Sequence, residues 1–252
     1  MHFVHISLFL CKGNKKLIKK SRFFCFFSYL CTKIVDKAEK MGEINEYRKE
    51  LRSRIIDYAM GEFYKRGVRA VKMDEISHGL HVSKRTVYEI FGDKEELLLA
   101  GMKREKEERR NALLDYAERE ARNVIDILAY VYHEQMKSSG QVGAAFFEEI
   151  HRMPRIVEFI KKTHDAEHDE RFRFFKTGVE EGFFRDDVDY ELMMEMSDMT
   201  TEEIMHRQFY KQYSMNELFQ HWYIVIMRGI CTERGLKLLN ELLASPTIYN
   251  KV

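Results

Sequence analysis

Lys84, Arg85, Thr86 and Tyr88 put two cations and two hydroxyls within five consecutive residues. Arg and Lys donate to guanine edges or phosphate oxygens, and Thr and Tyr hydroxyls donate to phosphates, so the group suits a nucleic acid. An ordinary solvated helix face carries the same residue types, and the neighbours must decide between the two readings. Val87, Ile90 and Phe91 are interleaved at helical spacing. On a helix those three turn to a core and leave Lys84, Arg85, Tyr88 and Glu89 facing away from it. Ser83, just before the group, can accept the free N–H groups of a first helical turn. Lys94 opens the next helix, where the helix dipole disfavours a cation unless an anion such as a phosphate is near.

Other chemistry finds little support. His164 and His168 lie four apart among Asp165, Glu167 and Asp169, a spacing that suits a metal. A solvated acidic face accounts for the same residues, and no metal is expected. Cys11, Cys25, Cys31 and Cys231 show neither C-x-x-C nor zinc-type spacing, which fits a reducing cytoplasm. There is no G-x-S-x-G, Walker A or G-x-G-x-x-G run, so neither an enzyme nor a cofactor is expected. Phe146, Phe147, the Phe residues at 172, 174, 175, 183 and 184, the Met residues at 193, 194, 196 and 199, Trp222 and Tyr223 form an apolar store. Most of it must be core and interface, with a minority left to line a pocket for an apolar ligand.

The elements that must position Lys84 and its neighbours read as helices throughout. Only Pro154 and Pro246 occur among 252 residues, and Met, Leu, Glu, Lys and Arg abound, so the expected fold is all-α. Leu51, Ile55, Ala59 and Phe63 recur every four positions and predict an amphipathic helix over 46–66, ended by Gly67. Met73, Ile76 and Leu80 predict a short second helix; Ser83 caps a third that ends at Gly92. Asp93 with Glu96 makes a start like a capping box for a fourth. Further helices are expected near 124–137, 143–151, 155–181, 189–211, 215–232 and 236–244, about nine or ten in all, with a break at Gly235. A short helix, a tight turn and a second helix with an outward basic face over 73–91 make a helix-turn-helix.

The stretch 71–97 resembles the TetR/AcrR family of transcriptional regulators, most specifically in the Val-Ser-Lys-x-Thr-hydrophobic-Tyr-x-x-Phe-x-x-Lys run over 82–94. The resemblance reaches back through Gly67 and covers about 50 residues. It implies that Ser83, Thr86, Tyr88 and Lys94 hold phosphates and that Lys84 and Arg85 approach bases. It also implies double-stranded operator DNA as partner, a small-molecule effector held by the remaining helices, and a homodimer in which the last two helices pair with their copies. His81 departs from the pattern by standing where the family often has glycine. A left-handed residue there costs roughly 1 kcal/mol, which His tolerates better than a β-branched side chain.

The expected organisation is an extension over 1–40, a DNA-binding domain over 41–95, and an effector-binding and dimerisation domain over 96–252. The extension holds nine Lys or Arg against Asp36 and Glu39, and its apolar runs at 6–11 and 23–31 fall short of the roughly 18 residues of a membrane span. An ordinary helical protein begins at Met41 and nothing downstream needs the preceding segment, so Met41 is expected to be the true start, ahead of a disordered arm or a membrane-surface tether, and no membrane partner is expected. The whole chain has net charge +1; without 1–40, 33 basic and 39 acidic residues leave −6, so a nucleic-acid surface must be local. The rival expectation is a helical protein-interaction adaptor that keeps the fold without sequence-specific DNA binding.

Overall fold

The computed structural model describes residues 45–140 and 142–244, so the expected extension over 1–40 lies outside the described residues. The chain divides into two compact units, 1–52 and 53–252. Helix α1 runs over 45–66, and its residues 45–52 are the described part of the first unit. Within the second unit Ile55, Ala59 and Phe63 are buried, as their four-residue rhythm requires. Gly67 ends α1 at φ 84°, a left-handed conformation that suits glycine, and its N–H donates to Phe63 O at 2.9 Å.

Two short helices follow, α2 (Met73–Gly79) and α3 (Lys84–Ile90), and then the long α4 (Lys94–Arg119). The body continues with α5 (Val124–Ser139), α6 (Ala144–Ile150), α7 (Pro154–Glu180), α8 (Tyr190–His206), a 3-10 turn (Phe209–Lys211), α9 (Met215–Ile230) and α10 (Glu233–Ala244). The all-α expectation holds: these are ten helices among the described residues. Helices α5, α8 and α9 start on side-chain caps, with Asn123 accepting from Ile125 and Asp126 N–H, Asp189 from Leu192 N–H, and Ser214 and Glu217 forming a full capping box, whereas α7 starts on Pro154 without one.

The body core gathers Ile125, Leu128, Phe175, Phe184, Tyr190, Met194, Met227, Ile230, Leu239 and Leu242. Phe175 stacks on Tyr190 at 5.1 Å and meets Phe184 at 6.1 Å, so much of the apolar store is packing. A single antiparallel bridge between Phe184 and Cys231 ties the α7–α8 connection to the α9–α10 joint.

Two boundaries depart from the sequence expectation. The helix expected over 189–211 stops at His206, because Gln208 turns left-handed at φ 57° and the chain restarts as a 3-10 turn. Gly235 is no break. It sits in the first turn of α10, where an added Cβ would lie 2.2 Å from the carbonyl oxygen of Phe183. That glycine serves close approach, not chain reversal.

Candidate nucleic-acid interface

The turn between α2 and α3 closes by a pattern the sequence signals only weakly. His81 N–H donates to His78 O at 3.1 Å and Val82 N–H to Ser77 O at 3.0 Å, the paired bonds of a Schellman motif. His81, the residue after the cap, adopts φ 55° as the turn demands of the position where glycine was expected. Ser83 then caps α3: its Oγ accepts from Thr86 N–H at 3.0 Å and lies 2.7 Å from Thr86 Oγ1. Val87 and Phe91 are buried, which anchors α3 by one face and leaves Ser83, Lys84, Arg85, Tyr88 and Glu89 exposed on the module surface. Thr86 is half-buried beside its cap partner.

Both cations on this surface carry intramolecular partners. Lys84 Nζ lies 2.8 Å from Asp74 Oδ1 on α2, and 5.9 Å from the centre of the Tyr88 ring. Arg85 Nε donates to Glu89 Oε1 at 2.7 Å, one turn along the same helix. The hydrogen bonds that Lys84 and Arg85 donate to Asp74 and Glu89 hold both side chains more firmly charged than usual. A nucleic acid would therefore meet both cations already paired with a carboxylate.

Lys94 behaves differently. Burial pushes its ammonium below the usual lysine range, opposed by the nearby carboxylates of Glu149 and Glu75. Its Nζ donates to Val71 O at 2.8 Å and Arg69 O at 3.3 Å. The negative partner that its place at a helix start requires is thus supplied by two carbonyls, which leaves one ammonium proton for a phosphate.

Residues 67–71, which lead into α2, are held from a second side by α6. Glu149 Oε2 accepts from Arg69 N–H at 2.7 Å, and Gly143 N–H donates to Tyr64 O at 2.8 Å just before α6 begins. Tyr64 packs edge-on against Phe146 at 4.8 Å and donates to Glu105 on α4. Asp93 caps α4 by accepting from Glu96 N–H at 2.6 Å and also faces Arg155 of α7 at 3.4 Å. Glu96 reaches back to Gly92 N–H, one residue before the position that a strict capping box would use. Sequence reasoning missed Asp74 and Glu149. Asp74 is signalled at most by its place on the preceding helix, and Glu149, 80 residues from Arg69, has no local signal.

The histidine pair is tied into α8. His164 Nε2 lies 3.0 Å from Asp198 and His168 Nε2 lies 3.1 Å from Glu191, while Arg171 donates to both oxygens of Asp198. Among the described residues no group of three or more His, Cys, Asp or Glu gathers as a metal requires. Among the same residues, no helix is long and apolar enough to cross a membrane.

Residues 55–100 match the family model for bacterial regulatory proteins of the TetR family. No curated protein matches the chain. Among solved structures, a transcriptional regulator from Saccharomonospora viridis in complex with choline aligns at TM-score 0.58 and 20% identity, over 73% of this chain and all of that one. CprB, a TetR-family protein from S. coelicolor, aligns at TM-score 0.56 and 18% identity, over 79% of this chain and 96% of its own. A TetR regulator from Chloroflexus aurantiacus aligns at 0.54 and 17%, over 74% and 98%. At these identities the likeness is one of fold.

Proposed function

We propose, from the premise that this chain belongs to the TetR family of bacterial regulatory proteins, that it is a ligand-responsive repressor binding a near-palindromic operator as a homodimer. It is a regulator rather than an enzyme. One observation carries the reading: Lys84, Arg85 and Tyr88 stand together, outward, on a helix anchored by Val87 and Phe91 and capped by Ser83. In this reading Lys84 and Arg85 approach base edges, and Ser83, Thr86, Tyr88 and Lys94 hold phosphates. Residues 41–95 form the DNA-binding domain and 96–252 the effector-binding and dimerisation domain.

In this reading the dimer face takes α9 from the last two helices and α8 in place of α10. α10 turns Leu239 and Leu242 into the core of its own protomer. Exposed apolar side chains lie instead on α8 (Leu192, Met196, Met199) and α9 (Trp222, Val225). Operator binding requires such a dimer to set its two recognition helices in successive major grooves, about 34 to 36 Å apart. An effector that binds the body better in another arrangement would shift that spacing and release the DNA. α6 offers the route, because Glu149 grips the segment that enters α2. DNA as partner goes with a cytoplasmic location.

A gel-shift series on the DNA upstream of the protein's own gene tests the reading. Wild type should retard the fragment and lose affinity steeply as salt rises, as phosphate binding requires and an adaptor would not show. Arg85→Ala should weaken binding roughly tenfold or more, and Tyr88→Phe less. Retention of full affinity by Arg85→Ala would remove that residue from the contact.

A further inference from the structure

The outward surface of α3 carries an anion where a polyanion must dock. Glu89 is half exposed, and its Oε1 lies 2.7 Å from Arg85 Nε. The Arg85 side chain is 87% exposed, against 59% for Lys84, which is drawn back toward α2 by Asp74. Arg85 and Glu89 are therefore the pair that stands further into solvent.

A carboxylate brought against phosphates is repelled, and it loses water as well, unless its lone pairs meet a donor. In the major groove only cytosine N4 and adenine N6 supply one. Adenine places its N7 acceptor beside that amino group, where it opposes a carboxylate, whereas cytosine places no acceptor on its major-groove edge. Arg85 spends its Nε proton on Glu89, which leaves both Nη groups for the O6 and N7 acceptors of guanine. The ion pair also fixes both side chains before DNA arrives, so less rotamer freedom is lost on binding.

We infer that Arg85 and Glu89 act as one reading unit, with Arg85 donating to guanine and Glu89 accepting from the N4 amino group of cytosine. Glu89 is then a specificity-determining residue of the operator contact. The inference rests on the reading of α3 as a recognition helix.

The test selects binding sites from random duplexes with the full-length protein and with Glu89→Gln, then titrates the enriched sites in competition. Wild type should enrich a half-site in which one cytosine-to-thymine change lowers affinity roughly tenfold. Glu89→Gln should move the preference at that one position to adenine, whose N6 and N7 match a Gln amide, and leave the other positions alone. Identical preferences in the two proteins overturn the inference and leave DNA reading intact. So does a Glu89→Gln protein that melts like wild type yet enriches nothing, since removal of an anion should not abolish binding to DNA. Wild type that enriches no sequence overturns the recognition-helix reading itself, and this inference with it.

Discussion

Each cation offered to DNA already has a partner, and that sets what a single side chain can change. Lys84 is held by Asp74 from the neighbouring helix and Arg85 by Glu89 from its own. Both pairs are exposed, so they contribute little to folding, and their weight falls on binding. Asp74→Asn removes one negative charge beside the docking surface and frees the Lys84 ammonium for the DNA. We expect affinity for DNA of arbitrary sequence to rise severalfold at low salt, with a steeper salt dependence by about one ion, while the melting temperature stays within a degree or two. Fluorescence anisotropy on a random duplex across a salt series measures both quantities. An unchanged slope would mean that Lys84 stays with its carboxylate in the complex.

At the scale of elements, the joints are held by contacts that local sequence does not announce. Whereas the left-handed turn at His81 followed only from the family resemblance, periodicity and capping residues made α1 to α4 legible, down to Ser83 over α3, because caps and apolar spacing are properties of neighbouring residues. The outward residues of α3 were legible for the same reason. Glu149 was not, since its bond to Arg69 N–H joins positions 80 apart. Glu149→Ala leaves that N–H without its carboxylate, so we expect a loss of about 1–2 kcal/mol and faster hydrogen exchange over 67–72, read by mass spectrometry. Unaltered exchange there would deny α6 its hold on the segment. Gly235 misled as a breaker because its reason is the Phe183 carbonyl 2.2 Å from where a Cβ would stand, a contact from the distant α7–α8 connection. In an open helix Gly→Ala stabilises, but here the added methyl meets rigid backbone. Gly235→Ala should therefore cost about 1–3 kcal/mol in urea titrations. A gain in stability would show that α10 shifts freely.

For the whole molecule, the proposed function turns on how a dimer would yoke two recognition helices. Leu192, Met196 and Met199 fall at i, i+4 and i+7 on α8, one stripe of a helix, and Val225 stands open on α9. In a two-fold dimer the same patch meets itself, so a charge placed there faces its own copy. Met199 and Val225 are each about two-thirds exposed in the protomer, so Met199→Glu with Val225→Glu should leave the fold and its circular dichroism unchanged. Sedimentation should then report a monomer at concentrations where wild type is a dimer. Affinity for an isolated half-site should persist, because α3 is untouched, whereas affinity for the full operator should fall by roughly 100-fold or more as the second contact ceases to be intramolecular. A double variant that still sediments as a dimer and grips the operator as before would move the interface off α8 and α9. Equal losses on half-site and full operator would point instead to damage within the DNA-binding domain.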